Sequence, residues 1–155
     1  MYDKLKPEPP TPLDEICTCD REHPIALCYA LTNNPIRCIE CYRELPPERL
    51  QPPPEMVEII AKWRRFYSCF YLLWLDSGEF EDWARQQLLD PKSAANRRSY
   101  ETCKIVSQLR RCYHWWFQEP EIDGYEPLSY CPKCQAKLTE KFDRLVCENC
   151  QILIP

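Results

Sequence analysis

Cys131-Pro132-Lys133-Cys134 and Cys147-Glu148-Asn149-Cys150, twelve residues apart, are the side chains of this sequence best spaced for chemistry. Two Cys-x-x-Cys pairs at that separation suit a tetrahedral Zn²⁺ site of four thiolates, with each pair on a tight turn and the two turns facing each other across a small hairpin. Four protein ligands leave the metal no position for water or substrate, so the spacing points to a structural ion and not a hydrolytic one. The competing readings are four unrelated free thiols or a pair of disulfides.

A second knuckle of the same kind is Cys38-Ile39-Glu40-Cys41, whose partners must come from Cys17, Cys19, His23 and Cys28. Eighteen residues separate Cys19 from Cys38, a gap that suits a split zinc site. The favoured ligand set is Cys17, Cys19, Cys38 and Cys41, with His23 able to replace Cys17. Cys28 sits inside an apolar run and reads as a small buried hydrophobe.

The elements that must carry these residues follow from periodicity. Ile25 to Leu31 alternates as a strand, Asn33-Asn34-Pro35 turns, and Ile36 to Tyr42 reads as a second short strand. Pro46-Pro47 and Pro52-Pro53-Pro54 form a stiff bridge. Met56, Ile59, Ile60, Trp63, Phe66, Tyr67, Phe70, Leu73 and Trp74 recur at helical spacing, predicting a helix over 55–76 bounded by Ser77-Gly78. Further helices are predicted over 79–89 and 93–111, the last with Arg110 and Arg111 at its negative end. Cys112 to Phe117 reads as an aromatic strand that points Trp115 and Trp116 to opposite faces. Strands near 137–139, 144–146 and 152–154 complete the ribbon.

The expectation is therefore an α+β protein: a central three-helix core flanked by small zinc-stapled β modules, with a zinc ribbon last. Its parts are a flexible arm (1–13), a cysteine-rich β module (14–50), a helical core with an aromatic strand (51–118), and an acidic linker with the ribbon (119–155). A 25-residue ribbon buries too little apolar surface to fold without its metal. The chain shows no secretion signal and no apolar run long enough to span a bilayer, so its paired thiols read as cytoplasmic metal ligands. The formal charge of −4 falls to about −8 with two four-thiolate zinc sites, which disfavours non-specific nucleic-acid binding and favours a basic partner.

The stretches Asn34 to Tyr42 and Leu45 to Leu50 resemble the middle of a bacterial family of uncharacterised zinc-ribbon proteins. Trp63, Asp90-Pro91-Lys92-Ser93-Ala94 and Tyr113-His114-Trp115-Trp116-Phe117 resemble that family's landmarks, so the resemblance covers about residues 34–155. It implies a zinc-containing protein and a candidate nucleic-acid binder. The chain is shorter than the family pattern, and Cys17/Cys19 is not among its landmarks.

Catalysis finds little support. His114, in the aromatic strand, reads as a core or surface histidine, although Cys103 and Cys112 lie close enough in sequence to pair with it. No glycine-rich phosphate loop exists, because Gly78 and Gly124 are the only glycines. Lys62, Arg64, Arg65, Arg97, Arg98, Lys104, Arg110 and Arg111 would form a positive face if they aligned. Five tryptophans and nine tyrosines exceed what a small core hides and supply interface anchors. The sequence thus points to a non-enzymatic zinc protein that binds a protein partner, as an adaptor or an inhibitor of the antitoxin or immunity kind. Nucleic-acid binding is the alternative, and neither a small-molecule substrate nor a membrane is implied.

Overall fold

The helical spacing predicted over 55–76 becomes α2 (Pro54–Asp76), which follows a one-turn helix, α1 (Pro47–Leu50). A proline in the first turn of α2 suits a position whose N–H has no helical partner, and Gly78, left-handed at φ 68°, ends the run beyond Ser77. α2 buries Met56, Val57, Ile60, Ala61, Trp63 and Tyr67. It packs against α3 (Glu81–Leu89) and α4 (Ala94–Val106), and Trp63 Nε1 donates to Ser99 Oγ on α4 at 2.8 Å.

The computed structural model describes residues 2–29 and 31–155, so Met1 of the arm and Ala30 of the run from Ile25 to Leu31 lie outside the described residues. Leu5 in the arm is fully buried against the core that α2 helps to build, and Thr11 donates to the Glu44 carboxylate at 2.7 Å.

Among the described residues the strands join into one mixed sheet of order β2-β1-β3-β6-β5-β4. These strands are β1 (Ile25–Leu27), β2 (Ile36–Cys38), β3 (Cys112–Trp115), β4 (Thr139–Lys141), β5 (Arg144–Cys147) and β6 (Ile152–Ile154). β1 and β6 both run parallel to β3, so the aromatic strand is the seam between the two cysteine-rich ends. Side chains alternate across the sheet as the pleat requires. Ile25, Leu27, Ile36 and Cys112 enter the core shared with the helices, and Ala26, Tyr113, Val146 and Leu153 cluster apart from it.

Several boundaries differ from the sequence reading. α4 stops at Val106 and not at Arg111, because the chain turns and Ser107 Oγ accepts the Cys112 N–H at 2.9 Å. Arg110 and Arg111 therefore do not cap the helix; they pair with Glu22 and Glu148. The proline bridge contains α1, held by Leu50, which is 3 % exposed. The first ribbon strand lies two residues later than expected, ending in a hairpin whose Phe142 and Asp143 are both left-handed, at φ 54°.

His114 occupies the seam, opposite Leu27 on one side and Ile152 on the other, and is 1 % exposed. Its Nε2 meets Asn96 Oδ1 at 3.0 Å, and burial holds its pKa down at about 3. The unfolded chain takes up this proton near pH 6.5 while the folded chain refuses it, so the contribution is intact above pH 6.5 and is lost as the pH falls toward 3. The full difference is at most about 5 kcal/mol. Urea midpoints measured from pH 7 to 4 should fall more steeply for the wild type than for His114→Phe; equal slopes would remove His114 as the cause.

Candidate metal centres

The structure brings together both four-cysteine sets expected from the sequence. The sulfur atoms of Cys17, Cys19, Cys38 and Cys41 lie within 4.8 Å of one another, as do those of Cys131, Cys134, Cys147 and Cys150. Each set could hold a metal ion. All twelve cysteines are free thiols, which sets aside the disulfide reading. Cys134 and Cys147 Sγ stand 3.6 Å apart, close to the about 3.8 Å edge of a tetrahedron with metal–sulfur bonds of about 2.3 Å.

The three Cys-x-x-Cys turns share one backbone design. The residue after the second cysteine is left-handed in each: Tyr42 at φ 59°, Gln135 at φ 60° and Gln151 at φ 54°. Tyr42 N–H donates to the Cys38 carbonyl, and Gln135 N–H to that of Cys131, both at 2.9 Å. Isolated bridges Arg37–Glu44 and Tyr130–Lys137 close two of these turns at the same offset. A non-glycine residue held at positive φ costs free energy, and three repeats of it aim three sulfur pairs inward.

Burial raises the thiol pKa of Cys19, Cys38, Cys41, Cys131 and Cys150. Two thiols go the other way. The Ala136 backbone N–H brings Cys134 down to about 7. Burial pushes Cys17 up, but the Cys19 backbone N–H and the neighbouring cysteines outweigh it. Four thiolates in either cluster repel one another, and a divalent cation at the centre reverses that repulsion.

Some contributing residues escaped the sequence reading. Arg49 on α1 donates to the Cys17 carbonyl at 2.6 Å, approaches Cys17 Sγ at 3.5 Å, and also donates to the Cys19 carbonyl. This guanidinium fixes the Cys17/Cys19 corner, and only the proline starting a single helical turn hinted at it. Glu148, inside the last knuckle, accepts from Tyr113 Oη at 2.8 Å and from Arg111 at 3.0 Å, and Lys141 also reaches it. Tyr42, next to Cys41, donates its hydroxyl to the Phe142 carbonyl and carries Arg144 4.4 Å above its ring, so the two ends clasp across the sheet.

His23 lies outside the first sulfur cluster, 3.8 Å from Glu40, and Cys28 lies outside both, with its thiol directed to the Tyr29 carbonyl. Trp116 is buried in the same cluster as Cys131, Leu138 and Cys147, whereas Trp115 is half-buried edge-on to Tyr42. Of the basic residues expected to align, Arg64 donates to the Thr32 carbonyl, and Arg110 and Arg111 are ion-paired. Lys62, Arg65, Arg97, Arg98 and Lys104 are exposed. Among the described residues no helix is long and apolar enough to cross a membrane. Compared with models of known protein families, with curated proteins and with solved structures, the chain gives no match.

Proposed function

We propose that this chain is a non-catalytic zinc protein of the cytoplasm, in which Zn²⁺ fills both four-thiolate clusters and the folded surface binds another protein. The observation that carries this reading is that each cluster supplies four sulfurs, enough to close a tetrahedral shell and leave no coordination site for a substrate. A protein partner is supported by large apolar side chains left exposed on α2 and at the start of α3. Leu72, Leu75, Phe80 and Trp83 are each about half exposed, and Trp83 stacks on Phe70 at 5.9 Å. Exposed aromatic anchors of this kind dominate interface energetics. With two loaded clusters the chain carries about −8, which suits a basic partner and an adaptor or inhibitor role of the antitoxin or immunity kind.

A second reading, nucleic-acid binding, is favoured by Arg65 and Arg98, which carry no ion pair among the described residues. Arg98 lies 3.9 Å above the Phe66 ring. Affinity capture at physiological salt decides between the two. One stoichiometric protein retained by the wild type and lost with Phe80→Ser/Trp83→Ser supports the first reading. Single-stranded DNA binding that falls steeply with salt and is lost with Arg65→Gln/Arg98→Gln supports the second.

A further inference from the structure

β1, β3 and β6 run parallel, and a cavity of about 330 Å³ opens where all three end. In open sheets, the crevice outside the carboxyl ends of parallel strands is where ligands bind. Cys28 and Tyr29 follow β1, Trp115 to Gln118 end and follow β3, and α2 contributes Tyr67, Tyr71 and Trp74. The volume suits a small molecule.

The lining restricts the chemistry of that molecule. No charged side chain lines the cavity among the described residues, so nothing there neutralises an anion or replaces the water shell of a small metal cation. The Gln118 amide is already engaged, with Nε2 donating to the Phe117 carbonyl and Oε1 accepting from Tyr125. What remains is aromatic rings and the hydroxyls that three of them carry. Tyr71 lies 4.6 Å from Tyr29 at 49°, 5.1 Å from Trp74 at 68° and 6.3 Å from Phe117 at 88°. These mutually tilted rings all line the one cavity. The hydroxyls of Tyr29, Tyr67 and Tyr71 have no hydrogen-bond partner among the described residues, and Tyr67 is only 3 % exposed.

We propose that this pocket binds a small alkylated-ammonium cation, held against the rings of Tyr29, Tyr71 and Trp74. Such a head group is weakly hydrated, so it loses little on leaving water, and the negative faces of aromatic rings attract it. The net charge of the chain draws cations and turns anions away. The site lies apart from both sulfur clusters and goes beyond the macromolecular reading above.

The test uses the protein as purified. Choline and a trimethyl-lysine peptide are titrated while the tryptophan indole N–H signals are followed by NMR, alongside 3,3-dimethylbutan-1-ol, the uncharged isostere of choline. Either cation should bind about tenfold or more tighter than the isostere and shift the Trp74 signal. Binding of choline identifies a free metabolite or head group, and binding of the peptide alone identifies a modified protein. Equal affinity for the isostere, or no binding by either cation, overturns the proposal. Tyr71→Leu should lose the preference for the cation and Tyr71→Phe should keep it, with metal content and circular dichroism unchanged. The wild-type comparison with the isostere decides the matter if the leucine variant does not fold.

Discussion

Native mass spectrometry of the purified chain is expected to show two zinc ions, and stripping them should abolish cooperative unfolding. A structural zinc contributes apparent free energies of about 10–16 kcal/mol to small metallo-domains, as much as the whole stability of an ordinary domain, about 5–15 kcal/mol. Cys147→Ser tests one end alone. Cys147 ends β5, pairs with Ile152 in the ladder and offers its sulfur to the second cluster. The variant should hold one zinc and melt at a much lower temperature. Because β3 joins both ends and Tyr42 grips the Phe142 carbonyl, damage should also spread to the first cluster, read as faster zinc loss to a chelator. Full secondary structure and an unchanged melting temperature after exhaustive chelation would contradict this account of stability.

Asn96→Ala should cost about 3–5 kcal/mol although the residue touches neither cluster. Asn96 is fully buried on α4, and its Nδ2 donates to the Leu88 carbonyl at 2.8 Å and the Asp90 carbonyl at 2.9 Å. Its Oδ1 faces His114 Nε2. One amide thus ties the end of α3, the start of α4 and the seam strand together. Truncation leaves the Leu88 carbonyl and an imidazole N–H unsatisfied in the core, each costing about 1–3 kcal/mol, while the Asp90 carbonyl keeps the Ser93 N–H at 3.0 Å. Asn96→Asp should also destabilise at neutral pH, since a carboxylate then faces two carbonyl oxygens, and acid should relieve that part. Urea denaturation measures both. A loss below about 1 kcal/mol for the alanine variant would show that water takes over these bonds.

The pairs Cys38/Cys41, Cys131/Cys134 and Cys147/Cys150 were legible because Cys-x-x-Cys spacing is a local signal and a knuckle is a local structure, whereas the tighter Cys17/Cys19 corner was only favoured over His23 until the fold brought its sulfurs in. α2 was legible because its apolar period runs long enough to outweigh single residues. The sheet was not. Pairing between Ala26 and Tyr113 or between His114 and Ile152 spans tens of residues and leaves no periodic trace, so two flanking modules and one continuous sheet have the same strand patterns. Asn96 looked like an ordinary helix residue, since its value lies in three carbonyl and imidazole partners that only tertiary contact supplies. Arg49 was hidden by prolines that read as a rigid spacer but open a single turn of helix.

The order β2-β1-β3-β6-β5-β4 also bears on how the polypeptide collapses, through the chain lengths that separate its paired strands. Each outer hairpin closes over a short loop and can form within microseconds. Seating β3 between them requires bringing together residues about ninety and forty positions apart, a loop-closure cost that slows topologies rich in distant contacts. Refolding in the presence of zinc should therefore be biphasic, with early sulfur ligation followed by slow burial of the tryptophans, and the late step should set the overall rate.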